Sequence, residues 1–135
     1  MKQYHVCGLG NALVDTEIEV SEKNLSDLGI EKGLMTLVDE ERQHFLQENL
    51  SDHMVMSKRA GGGSAANTVI SRRQFGGKGY LSCKVADDDN GQFYMQDLMD
   101  NGVDHNAHAQ IAQGITGKCL VMITDDADRT MNTFL

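Results

Sequence analysis

Apolar and polar residues change period along this chain in a way that sets out its elements. Tyr4 to Leu9 is a short apolar run that predicts a strand. Leu13, Asp15, Glu17 and Glu19 then alternate with Val14, Thr16, Ile18 and Val20, a second strand rather than a helix. Ser21 to Leu28 predicts a short helix closed by Gly29, and Gly33 to Val38 a strand. Asp39 is placed to cap a helix with Phe45, Leu46 and Leu50 on one face. Met54 to Lys58 is expected as the strand feeding Gly61-Gly62-Gly63, and Ser64 as the N-cap of the next helix. That helix buries Val69 and Ile70, places Arg72 and Arg73 in its last turn, and ends at Gly76. Gly79 to Ala86 predicts a strand; Asp87 to Gly91 opens a helix with Tyr94, Met95, Leu98 and Met99 on one face and Gly102 at its end. From Ala107 the pattern is β: a segment to Ala112, a turn, a strand from Lys118 to Thr124, another turn, and a strand from Thr130. The alternation implies a mostly parallel sheet flanked by helices. The strands at 12–20, 33–38 and 107–135 lack crossover helices and are expected to form a separate small sheet.

The three glycines carry the first chemical signal. Without side chains they let backbone N–H groups approach a ligand closely. Asn67, in the first turn that follows, can reach whatever such a loop holds; the alternative is that its amide only bonds local backbone. Asn11 and Asp15 offer an amide and a carboxylate at the end of the first strand and the start of the second. Gly8-Leu9-Gly10 lacks the third glycine and the helix of a dinucleotide fingerprint, which weakens an oxidoreductase reading. Asp87-Asp88-Asp89-Asn90-Gly91 has its glycine one place early for a calcium loop and no glutamate at the twelfth position. His105 and His108 lack a third ligand and are read as surface residues rather than a metal site.

With 135 residues the chain is long enough for a real core, and its apolar runs are too short to span a membrane. The formal net charge of −8 disfavours nucleic acid, which needs a basic face. Cys7, Cys83 and Cys119 are odd in number, well separated and set in apolar runs, suggesting buried thiols in a reducing compartment. No signal-peptide pattern opens the chain, so a cytoplasmic protein is expected.

Four stretches taken together resemble the amino-terminal part of the PfkB, or ribokinase-like, family of sugar and nucleoside kinases. They are Gly8-Leu9-Gly10-Asn11-Ala12-Leu13-Val14-Asp15, Gly61-Gly62-Gly63-Ser64-Ala65-Ala66-Asn67, Val85-Ala86-Asp87-Asp88-Asp89-Asn90-Gly91, and Thr116-Gly117-Lys118-Cys119 with Asp128-Arg129-Thr130. The resemblance implies a three-layer α/β fold with a small β-sheet lid, truncated here. It implies that Asp15 and Asn67 hold the acceptor's hydroxyls, with Asn11 as a further polar contact and the backbone at Gly62 and Gly63 beneath. Met35 and Cys119 would line the sugar or base pocket, and Arg129 would lie near the transferred phosphate. The four-residue step from Asn11 to Asp15 is similar to adenosine kinases and fructokinases.

The same resemblance implies an ATP-dependent transfer with Mg2+ to a primary hydroxyl of a small-molecule sugar or ribonucleoside, and a homodimer through the lid strands. The family's second signature, Asp-Thr-x-Gly-Ala-Gly-Asp, which carries the catalytic base, does not occur in this sequence, nor does its Asn-x-x-x-Glu motif. The chain is therefore expected to be a fragment that is inactive alone, with no catalytic residue and no ATP or metal bound. A short non-catalytic nucleoside-binding or dimerisation module is the alternative.

Overall fold

The computed structural model describes residues 3–109 and 111–135. The chain divides into two compact units: Met1–Val14 with Ala60–Gly117, and Asp15–Arg59 with Lys118–Leu135. It is an α/β protein.

The first unit is built on a parallel sheet of β1 (Val6–Leu9), β5 (Gly79–Ser82) and β6 (Asp104–His105), in the order β1-β5-β6. Helices α4 (Ser64–Gln74) and α5 (Asp89–Asp100) supply its apolar cover. Val69 of α4, Leu81 of β5, and Tyr94 and Leu98 of α5 are almost fully buried in one cluster with Val14, Cys83, Val85 and Val103. Gly76 and Gly102 stop α4 and α5 as the spacing predicts. Segment 107–112 departs from expectation among the described residues, Gln110 lying outside them: Ala107–Ala109 is a 3-10 turn, and Ala112 makes an isolated parallel bridge to Ala86. The bridge is tied down by Thr116, whose Oγ1 accepts from the Ala86 N–H and donates to Asp88, the N-cap of α5.

The second unit holds most of a five-stranded sheet in the order β3-β8-β7-β2-β4, made of β2 (Leu13–Glu19), β3 (Met35–Leu37), β4 (Lys58–Gly62), β7 (Gly117–Ile123) and β8 (Arg129–Phe134). Helices α1 (Glu22–Asp27), α2 (Glu40–Asn49) and α3 (Ser51–Met54) accompany it. Ile18, Val20, Leu25, Leu46, Leu50, Leu120 and Met122 form its core. Ser21 closes a reciprocal capping box with Asn24, and Asp39 caps α2 through the Arg42 N–H.

The expected face of α2 needs correction. Leu46 and Leu50 are buried, but Phe45 is exposed beside Arg42, and Gln43 takes the interior place. Residues 43, 46 and 50 are spaced three and four apart and share one face, whereas 45 is rotated away from it. The expected strand at 54–58 is also displaced. Ser51–Met54 is helical, Val55 and Met56 stand exposed, and the strand begins at Lys58 and runs through Gly62. The first two of the three glycines are thus strand residues.

Candidate functional site

In the first unit the strand-to-helix turn falls on Gly63, one residue before the expected cap. Gly63 is the N-cap of α4 with φ of +97°, a conformation that side-chain-bearing residues rarely adopt, and Ser64 is already helical and makes no capping bond. Its carbonyl accepts the Asn67 N–H at 2.9 Å, which starts the helix. A Cβ at Gly63 would lie 2.8 Å from the Asn11 carbonyl oxygen, so the glycine turn and the end of β1 meet backbone to backbone. Two residues of α5 brace this strand from below. The Tyr94 hydroxyl donates to the Gly62 carbonyl at 3.1 Å, and a Cβ at Gly61 would fall 2.3 Å from Asp97 Oδ2. Burial and the nearby Asp100 carboxylate hold the Asp97 carboxyl above the ordinary range.

The side-chain amides of Asn11 and Asn67 are exposed and make no hydrogen bond among the described residues. Local bonding therefore does not account for Asn67. The structure brings Asn11, Gly62, Gly63 and Asn67 together in this unit, with the two side-chain amides exposed.

The other four predicted residues belong to the second unit, and strand register assigns them a common face. Side chains alternate across a strand, and residues directly opposite on paired strands share a face. Ile18, Val20, Leu120 and Met122 point into the helix-packed core, so Asp15, Glu17, Cys119, Val121 and Ile123 point to the other side. Cys119 is opposite Thr133, Val121 opposite Met131, and Ile123 opposite Arg129. Met35 and Leu37 of β3 pair in turn with Met131 and Thr133. Asp15, Met35, Cys119 and Arg129 thus share the face turned away from the helices.

The electrostatics of this face agree with that assignment. Burial, reinforced by Glu17, lifts the Asp15 carboxyl above the usual carboxylate range. The buried Cys119 thiol is raised first by burial and further by Asp15, against the hydrogen bond it accepts from the Thr133 hydroxyl at 3.2 Å. Arg129 reaches Glu17 at 3.9 Å, an exposed pair of small energetic weight that leaves its guanidinium free to change partners. Glu17 was not singled out by sequence reasoning, although its place two residues after Asp15 on an alternating strand was the available signal.

The cysteine expectation holds in part: Cys83 and Cys119 are buried, but Cys7 is exposed on β1. His105 is half-buried and edge-on to His108 at 5.5 Å between ring centroids. Among the described residues no group of three or more His, Cys, Asp or Glu side chains is arranged to hold a metal ion. No helix among them is long and apolar enough to cross a membrane.

Comparison with known proteins bears on this geometry directly. Residues 25–135 match the model of the pfkB family carbohydrate kinases. Adenosine kinase from Sinorhizobium meliloti superposes with a TM-score of 0.85 at 32% identity over 99% of this chain and 40% of its own. A probable sugar kinase protein from Rhizobium etli CFN 42 does so with 0.85 at 31% identity, over 100% and 40%. Adenosine kinase from Schistosoma mansoni, solved in complex with adenosine in an occluded loop conformation, shares the fold at 21% identity, with a TM-score of 0.83 over 97% and 38%. No curated protein matches the sequence. The chain therefore spans about two fifths of the length of these solved relatives. On the family match and the identity to the two bacterial kinases, it belongs to the pfkB family of carbohydrate kinases, with the ribokinase-like α/β fold.

Proposed function

We propose that this chain is the acceptor-binding portion of an ATP-dependent kinase that phosphorylates a primary hydroxyl of a sugar or ribonucleoside, in the manner of adenosine kinase. The observation that carries the reading is the register of the five-stranded sheet, which gives Asp15, Met35, Cys119 and Arg129 one face. The unspent amides of Asn11 and Asn67 beside the Gly62-Gly63 backbone support it. The adenosine in the Schistosoma mansoni enzyme supports a nucleoside acceptor, and the likeness to a probable sugar kinase keeps free sugars in the same class.

In this reading Asp15 accepts hydrogen bonds from acceptor hydroxyls, and Asn67 and Asn11 add neutral bonds. Met35 and Cys119 offer apolar contact to the ring. Arg129, exchanging Glu17 for a more highly charged partner, steadies the phosphoryl group. ATP supplies that group in the intact enzyme. Mg2+ belongs with ATP in the intact enzyme and no step is assigned to it here, and the homodimer through the lid strands stays part of the proposal. The sequence contains no Asp-Thr-x-Gly-Ala-Gly-Asp segment to supply a base, so the chain alone binds acceptor without transferring phosphate.

Calorimetric titration with adenosine tests this. A charged hydrogen bond contributes roughly 1.5 to 3 kcal/mol, so Asp15→Ala should weaken binding by more than about tenfold, and Asn67→Ala by less. Unchanged affinity in both variants would refute the assignment.

A further inference from the structure

Two of the motif stretches, Asp87 to Gly91 and Thr116, close on one another in the first unit. The Asp88 carboxylate caps α5 by accepting the Gly91 N–H at 2.8 Å. It also accepts twice from Thr116, from the backbone N–H at 2.9 Å and from the hydroxyl at 2.6 Å. The Thr116 hydroxyl oxygen in turn takes the Ala86 N–H at 2.9 Å, and Thr116 is buried. Glycine is required at 91, because a Cβ there would collide with the Ala86 carbonyl oxygen and stand 3.0 Å from Thr116 Oγ1. An ordinary N-cap uses one side-chain oxygen on its own helix. Here both carboxylate oxygens are engaged, and the start of α5 is clasped to a residue 28 positions later.

Further along α5, this anchoring delivers Tyr94 to the glycine turn. The tyrosine is buried, and its hydroxyl donates to the Gly62 carbonyl at 3.1 Å, lying 3.9 Å from where a Cβ at Gly63 would stand. Asp97, three residues on and so on the same helical face, closes the space under Gly61. In a trans peptide the N–H points opposite to the C=O, and no cis bond occurs among the described residues. Holding the Gly62 carbonyl toward α5 therefore turns the Gly63 N–H away from it. The peptide that precedes the +97° turn of Gly63, and with it the start of α4 at Asn67, is fixed from below. We infer that Tyr94, seated by the Asp88–Thr116 clasp, is a positioning residue for the acceptor, acting through the Gly62-Gly63 peptide and the Asn67 turn. Its effect on the acceptor rests on the binding role proposed above; its effect on the turn does not.

Tyr94→Phe removes the hydroxyl alone. In the ligand-free chain the Asn67 amide, bonded to the Gly63 carbonyl, should exchange with solvent about two- to tenfold faster by NMR, while the Leu81 amide on β5 keeps its parent rate. Calorimetric titration well below the melting temperature should show adenosine bound more weakly by about two- to tenfold. Thr116→Val, which leaves the backbone bond to Asp88, should move both readouts in the same direction. A tyrosine that only fills the core would lower the melting temperature and leave both at parent values. That result in Tyr94→Phe would overturn the positioning role, and the same result in Thr116→Val would overturn the clasp. A parent chain that does not bind adenosine would refute the acceptor reading instead, and the Asn67 exchange rate would then decide the role of Tyr94 by itself.

Discussion

The Asp15 carboxyl sits where burial and Glu17 both oppose its charge, so its folded pKa is raised above the ordinary 3.8. Above that raised value the native state bears the cost of an anion that the unfolded chain exposes freely. Below about 3.8 both states are protonated and the cost disappears. Asp15→Asn should therefore melt at a higher temperature than the parent at pH 7, and the difference should close as pH falls through the unfolded value. Thermal melts between pH 3 and pH 8 check this; a lower melting temperature at pH 7 would mean that Asp15 is satisfied inside the protein rather than held for a ligand. The thiols make a second test at this scale. Cys83 is pushed up to about 11 by burial, Cys119 is raised for the same reason, and Cys7 is exposed. One thiol of the three should react in native protein at pH 8, and all three after denaturation.

Among the elements, α2 and the turn into α4 show where sequence patterning reads correctly and where it stops. The Asp39 cap and the stops at Gly76 and Gly102 were legible because each acts on backbone within a few positions of itself, whereas the cap expected at Ser64 gives way to Gly63 one residue earlier. The buried face of α2 was not legible, because it carries Gln43 in the interior and leaves Phe45 outside, against hydrophobicity. Leu46→Ala should then cost about 2 to 5 kcal/mol in denaturant unfolding. Phe45→Ala should cost under about 1 kcal/mol, the loss of one exposed contact with Arg42. Equal costs would return Phe45 to the core. At Gly63, alanine meets both a φ of +97° and the Asn11 carbonyl, so Gly63→Ala should destabilise by about 1 to 3 kcal/mol. A neutral effect would mean that the turn relaxes easily and that its glycine is not structural.

For the whole molecule, the four motifs were enough to read the family and the α/β class, because the family signature lies in contiguous stretches such as Gly61 to Asn67. A second sheet of the strands without crossover helices was legible, but the boundaries of the two units were not, since the chain crosses between them within β2 and β4 and at residue 117, where no linker composition marks the boundary. Nor was the shared face of Asp15, Cys119, Met35 and Arg129. Periodicity assigns each residue a side of its own strand; the pairings of β7 with β8 and of β8 with β3 join Cys119, Met35 and Arg129, and the shared burial of Ile18 and Val20 with Leu120 and Met122 sets Asp15 on the same side. The central claim, proposed above, is that Asp15 on this face holds a ribose-bearing acceptor through its hydroxyls. The most direct measurement is the dissociation constant of adenosine beside that of 2′-deoxyadenosine, for the parent chain and for Asp15→Ala. Loss of the hydroxyl should weaken binding to the parent by more than about tenfold and make little difference in the variant. Equal affinity of the parent for both nucleosides would contradict the account.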